Sequence, residues 1–151
     1  MATDIKAKRF TDGTAAAATT IAAAQTLGGA GNMTLAGTAA TFGGTNLGQK
    51  ITLVSSGNIS AVTFTITGTD PTGASQSEDL TGPNASTVTS TKYYNTVTQI
   101  AASGAVGTNT SSGVAADQGG TLFAGRTRVR GMHAVNAGAG TIFLNNSSID
   151  G

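Results

Sequence analysis

The sequence predicts an all-β fold, an antiparallel β-sandwich or jelly-roll-like barrel with an extended N-terminal arm. Three observations carry that reading. Val62-Thr63-Phe64-Thr65-Ile66-Thr67 alternates apolar and threonine residues with period two, the pattern of a strand with one face buried. Short β-branched runs recur along the chain with Gly, Asn and Pro turn signals between them, as in sandwiches and barrels. No stretch shows the helical apolar repeat expected of a βαβ unit.

Residues 1–31 form the expected arm and residues 32–151 the expected β-sandwich domain. Within the arm, TAAAATTIAAAQTLGGAGN has alanine's preference for helix. Its only large apolar residues are Ile21 and Leu27, and neither caps nor charge pairs support a helix. Its threonine pairs and Leu27-Gly28-Gly29 fit an extended arm as well as a helix; the extended arm is the expectation adopted.

Met33-Thr34-Leu35 is a short candidate strand. Ile51 to Ser55 is another, turned by Ser56-Gly57-Asn58. Ala61 to Thr69 is the clearest, with Val62, Phe64 and Ile66 on one face and Thr63, Thr65 and Thr67 on the other. Threonine keeps strand propensity on the hydrated face. Asp70-Pro71-Thr72-Gly73 supplies a turn, because Pro fixes φ and Gly admits positive φ. The return strand spans Ser75 to Leu80, closed by Thr81-Gly82-Pro83-Asn84. Thr87–Thr91, Tyr93–Ala101, Thr121–Ala124, Arg126–Val135 and Thr141–Leu144 complete the expected strands, and Ser103 to Gly120 reads as a polar, Gly-rich loop.

Composition limits both core and chemistry. Only 10% of residues are charged, against about a quarter in ordinary globular proteins. Aromatic residues make up 5%, Trp is absent, and much of the 38% hydrophobic content is alanine. At about 25 cal/mol per Å² of apolar burial, such a core is thin, so the fold is expected to lean on neighbours, as a homo-oligomer or as a subunit on a larger surface. The formal charge of +1 gives no global drive toward nucleic acid or membrane. There is no cysteine, hence no disulfide or thiolate chemistry. MATDIKAKRF carries no apolar segment after its basic residues and is not expected to be a secretory signal.

Catalytic and metal constellations are not evident. His133 is the only histidine and has no nucleophile context near it. The seven carboxylates are scattered; only Glu78 and Asp79 are adjacent, and on a strand they face opposite ways. A weak calcium site near Asp70 or Asp117 is the one metal arrangement left open. GGAGN and DQGG lack the Lys-Ser/Thr of a phosphate loop. No catalytic residue, metal or cofactor is expected.

The charges that cluster are basic. Lys6, Lys8 and Arg9 precede Phe10, and Arg126, Arg128 and Arg130 alternate with Thr127 and Val129. On a strand the three arginines share a face. The two groups hold six of the eight Lys and Arg residues. One reading is docking onto an acidic partner through carboxylate pairs; the other is a solvated strand edge that blocks aggregation. Nucleic acid is not expected as a partner, since no aromatics interleave with these cations. Tyr93 and Tyr94 are consecutive, so on a strand one faces the core and one faces outward, toward an interface or a stacked sugar.

The run from Ile51 to Gly104 resembles a segment of small structural proteins of tailed bacteriophages. It consists of an Ile/Val-Thr strand with Ser-Gly-Asn (Ile51–Asn58), a V-T-F-T-I-T-G-T-D strand (Val62–Asp70), Glu78–Ala85 ending in G-P-N-A, and Ser90–Ile100 opening with S-T-K-Y-Y. The upstream AAAQTLGGAGNMTLAG, Ala22 to Gly37, is similar to what such proteins carry there. The resemblance implies a non-enzymatic virion component made in the bacterial host cytoplasm. A capsid decoration (cement) protein on the outer surface of the major capsid protein shell fits a small β-domain with a thin core and a flexible arm, and a homo-oligomer, trimer or dimer, would match the local axes of an icosahedral shell. Tail, head–tail junction or fibre components, and a virion-displayed carbohydrate-binding module, are the alternatives.

Overall fold

The computed structural model describes residues 9–120. Eight strands build two four-stranded antiparallel sheets. They are β1 Ala17–Leu27, β2 Gly31–Asn32, β3 Gly48–Ser55, β4 Thr63–Thr69, β5 Ser75–Thr81, β6 Thr87–Tyr94, β7 Thr96–Ala102 and β8 Val106–Gly119. One sheet has the order β1-β8-β3-β6 and the other β2-β7-β4-β5. The fold is a β-sandwich, and no closed barrel forms among the described residues.

Among the described residues the chain changes sheet at every connection except one, the β4–β5 hairpin. That hairpin is the Val62-to-Leu80 unit whose alternation is plainest in the sequence. Phe64 and Ile66 are wholly buried while Thr63 is exposed and Thr65 and Thr67 are half-buried. Its turn is closed by Asp70, whose Oδ1 accepts from the Thr72 N–H (2.7 Å), the Thr72 hydroxyl (2.7 Å) and the Ala74 N–H (3.0 Å). Gly73 takes φ +87°, as the turn requires.

Ile21, Phe42, Ile51, Leu53, Ile100 and Tyr94 join the β4 residues in one apolar core between the sheets. The alanine-rich stretch is extended, and from Ala17 to Leu27 it is the outer strand of the first sheet, with Ile21 and Ala22 fully buried. Residues 17–27 therefore share a core with residues beyond 31.

Three local expectations need correction. Ser103 to Gly120 is not a loop: Val106–Gly119 is β8, an inner strand paired to β1 on one side and β3 on the other. Thr110 to Val114 are all buried there. Small residues suit the position, because β1 crosses so near that a Cβ on Gly113 would overlap the Ala17 carbonyl oxygen. The break between the next two expected strands falls at Asn95 rather than Lys92, which places Tyr93 and Tyr94 at the end of β6. Strand structure near Met33 is confined to Gly31–Asn32. Met33 is a buried residue just beyond it, its N–H bonded to the Ile100 carbonyl at 2.9 Å. The expected strands beyond residue 120 lie outside the described residues.

Candidate functional site: a charged end and two laced seams

The two ends of the sandwich differ in charge. At the near end lie the 42–47 loop, the Asp70–Ala74 turn, Asn95 and the last residues of β8. Residues 28–30, 56–62, 82–86 and 103–105 make the loops of the far end, and none of them is charged. Arg9, Asp12, Lys50, Asp70 and Asp117 belong to the near end, while Glu78, Asp79 and Lys92 line the β5 and β6 edges.

Residues 9–14 are strapped across the near end. Thr11 N–H donates to the Thr45 carbonyl (3.2 Å), Thr45 N–H to the Thr11 hydroxyl (2.7 Å), and Thr14 N–H to the Phe42 carbonyl (2.8 Å). Gln49, 1% exposed, donates its Nε2 to the Thr14 carbonyl (2.8 Å) and the Ala115 carbonyl (3.1 Å), so one buried amide ties the strap to β8. Asn95 turns the chain from one sheet into the other and holds the 42–47 loop, its Nδ2 donating to the Gly44 and Leu47 carbonyls at 2.8 and 2.7 Å.

Of the candidate contact residues, Arg9 and Phe10 lie in this strap, with Arg9 exposed and Phe10 half-buried. Tyr94 is fully buried, and burial, aided by the negative charge of Glu78, pushes its phenol far above the ordinary tyrosine value. Tyr93 faces outward but is half-buried against its own chain: a Cβ on Gly119 would come within 2.9 Å of its ring, and Lys50 Nζ sits 5.3 Å from the ring centroid. Lys6, Lys8, Arg126, Arg128 and Arg130 lie outside the described residues, as does His133.

The open sides of the sandwich are closed by side chains. On one side, the Glu78 carboxylate of β5 accepts from the Thr91 N–H and hydroxyl, both at 2.8 Å, and from the Lys92 N–H at 3.1 Å on β6. Gln76 Nε2 donates to the Tyr93 carbonyl at 2.6 Å, and Lys92 Nζ to the Ser77 carbonyl at 2.6 Å. On the other side, Gln25 of β1 accepts from the Thr34 N–H (2.9 Å) and donates to the Thr34 carbonyl (3.0 Å), acting as a strand partner made of one side chain. The Thr38 hydroxyl donates to the Thr20 carbonyl beside it. A surface depression of about 280 Å³ lies at this seam, between Ala23, Ala24 and Gln25 of β1 and Thr34 to Ala36.

No three His, Asp or Glu residues converge among the described residues. Asp70 Oδ1 is filled by its own turn, which holds the carboxyl below its ordinary value, chiefly through the Thr72 hydroxyl. Asp117 pairs with Lys50 at 3.4 Å. Sequence reading did not single out Gln25, Gln49, Asn46, Glu78 or Asn95 as positioning residues. Their only signal is an amide or carboxylate side chain. Comparison of the chain with protein-family models, with curated proteins and with solved structures returns no match.

Proposed function

We propose that this chain is a non-enzymatic structural protein of a tailed-bacteriophage virion, a capsid decoration protein that binds the outer surface of the major capsid protein shell. The observation that carries the reading is the charge polarity of the sandwich. The near end gathers ionic groups beside a chain strap, while no far-end loop among the described residues carries a charge. Such a body attaches end-on: one end makes ion pairs with a surface, and the other faces water.

The sequence run that resembles phage structural proteins supports the reading in a second way. Ile51 to Gly104 spans most of β3 and all of β4, β5, β6 and β7, which contribute to both sheets and include the β5–β6 seam. A sandwich laced on both open sides suits a protein that must hold its shape as a clamp on a shell. Multivalent attachment of a homo-oligomer, trimer or dimer, would offset weak single contacts.

Stripping the protein from particles tests the proposal. The reading expects stripped particles to release their contents at a lower temperature than intact ones, with resistance restored when purified protein is added back. Unchanged heat resistance would count against a cementing role.

A further inference from the structure

We infer that residues 9–14 are an exchangeable strap: the near-end cleft that holds them takes the same segment from a second copy of this chain, and this exchange builds the homo-oligomer. The inference rests on the homo-oligomeric part of the reading above and names the surface that forms it. The cleft receives the strap as extended backbone. Thr11 N–H donates to the Thr45 carbonyl at 3.2 Å, and Thr14 N–H to the Phe42 carbonyl at 2.8 Å. From the body, Asn46 Nδ2 donates to the Arg9 carbonyl at 2.7 Å and Gln49 Nε2 to the Thr14 carbonyl at 2.8 Å.

The fit commits the cleft to this segment. A Cβ on Gly44 would overlap the Thr11 carbonyl oxygen, so the strap lies directly on the loop backbone. A Cβ on Gly13 would come within 2.5 Å of Gln49 Oε1 and 2.6 Å of the Phe42 carbonyl oxygen, so the occupant needs a glycine at that point. A second copy supplies the same Thr11-Asp12-Gly13-Thr14 and makes these bonds between chains, the low-cost route by which exchange of an identical element forms oligomers.

Two observations favour exchange over a strap kept on its own body. The link is short: Ala15 and Ala16, both exposed, separate Thr14 in the cleft from Ala17, which pairs with Val114 of β8. Short hinges invite exchange, and lengthening them restores closure on the same body. The closed strap also leaves two polar groups poorly met. Gln49 Oε1, on a residue 1% exposed, has no hydrogen-bond partner among the described residues, while the adjacent Gly13 N–H reaches Gln118 Oε1 only at 3.4 Å. A buried acceptor left so costs free energy, and opening the link frees the strap to bring donor and acceptor together. The eight residues from Arg9 to Ala16 reach at most about 29 Å at about 3.6 Å each, so partners stand with their near ends adjoining, as copies seated side by side on one surface would.

Two experiments on the full chain in solution, without particles, test the inference. The chain lacks cysteine, so an Arg9→Cys copy and a Thr45→Cys copy can be refolded together from urea and treated with a short bismaleimide. Both positions are exposed, and the bonds that hold the strap there use their backbone groups. Joining of unlike copies is expected, and none when the second copy carries Ser60→Cys at the far end instead. Absence of unlike-copy joining would overturn the exchange, as would a parent chain that stays monomeric by light scattering at the same concentrations. In the second experiment, about six Gly and Ser residues are inserted between Ala15 and Ala16. The oligomer should fall to the mass of the monomer, and unlike-copy joining should drop by at least about tenfold. An unchanged oligomer would put self-association on another surface and overturn the inference. Neither result depends on a particle, so this inference and the capsid role fail separately.

Discussion

The Glu78 carboxylate of one sheet accepts the backbone N–H groups of Thr91 and Lys92 in the other, at 2.8 and 3.1 Å. A side chain thus does at this seam what a ladder does within a sheet. Glu78→Ala removes three acceptor contacts at once and leaves edge N–H groups of β6 without them. A loss of about 1–3 kcal/mol in unfolding free energy is expected from urea titration. A change within about 0.5 kcal/mol, the range of ordinary surface substitutions, would show the seam to be incidental.

Gln25 does the matching work at the opposite seam. Gln25→Glu keeps the acceptor for the Thr34 N–H but loses the Nε2 donor, whereas Gln25→Ala loses both. Amide hydrogen exchange at Thr34 should therefore speed up strongly in the alanine variant and less in the glutamate variant. Equal exchange in all three proteins would contradict the pairing.

The inner strand β8 depends on close approach. Gly113→Ala sets a methyl group against the Ala17 carbonyl oxygen, whereas a Cβ at Gly107, on the same strand, meets nothing within 4 Å. Overpacking of this kind costs about 1–3 kcal/mol. The Gly113 variant should melt well below the parent, and Gly107→Ala should melt near it.

High pH should loosen the fold through Tyr94. Its folded-state value is raised by burial first and by the Glu78 charge second. The contribution is full below the unfolded tyrosine value of about 10 and is lost as pH rises beyond it, because the folded state resists giving up the proton. Melting temperature should fall above that pH, and Tyr94→Phe should flatten the decline.

Low pH acts on the β4–β5 hairpin through Asp70, whose folded value is depressed chiefly by the Thr72 hydroxyl. Its contribution is present above the unfolded aspartate value, about 3.9, and is lost as pH falls through the depressed folded value. In an acid titration followed by NMR, the Thr72 and Ala74 amide signals should move together with the Asp70 carboxyl. Asp70→Asn should remove that transition.

What the sequence made legible was local. Among the described residues the β4–β5 hairpin is the one pairing between consecutive strands within a sheet, and its alternation, Asp-Pro turn and Gly73 are all written in one short run. The other pairings join strands far apart in sequence, and no local pattern announces them. The clearest miss, β8, has Thr110, Ser111, Ser112 and Gly113 where a strand buried on both sides would ordinarily carry β-branched apolar residues. At Gly113 the reason is tertiary: the close approach of β1 leaves no room for a side chain. Asn95 and Asn46 were equally silent, because their roles are to hold carbonyls of loops that local reading cannot bring together.

The proposed capsid role is tested most directly by an electron-microscopy map of particles that carry the protein. The sandwich is expected to repeat over the outer face of the shell, with its charged near end against the major capsid protein and the uncharged loops outward. Density confined to a single vertex, or to the tail, would contradict it.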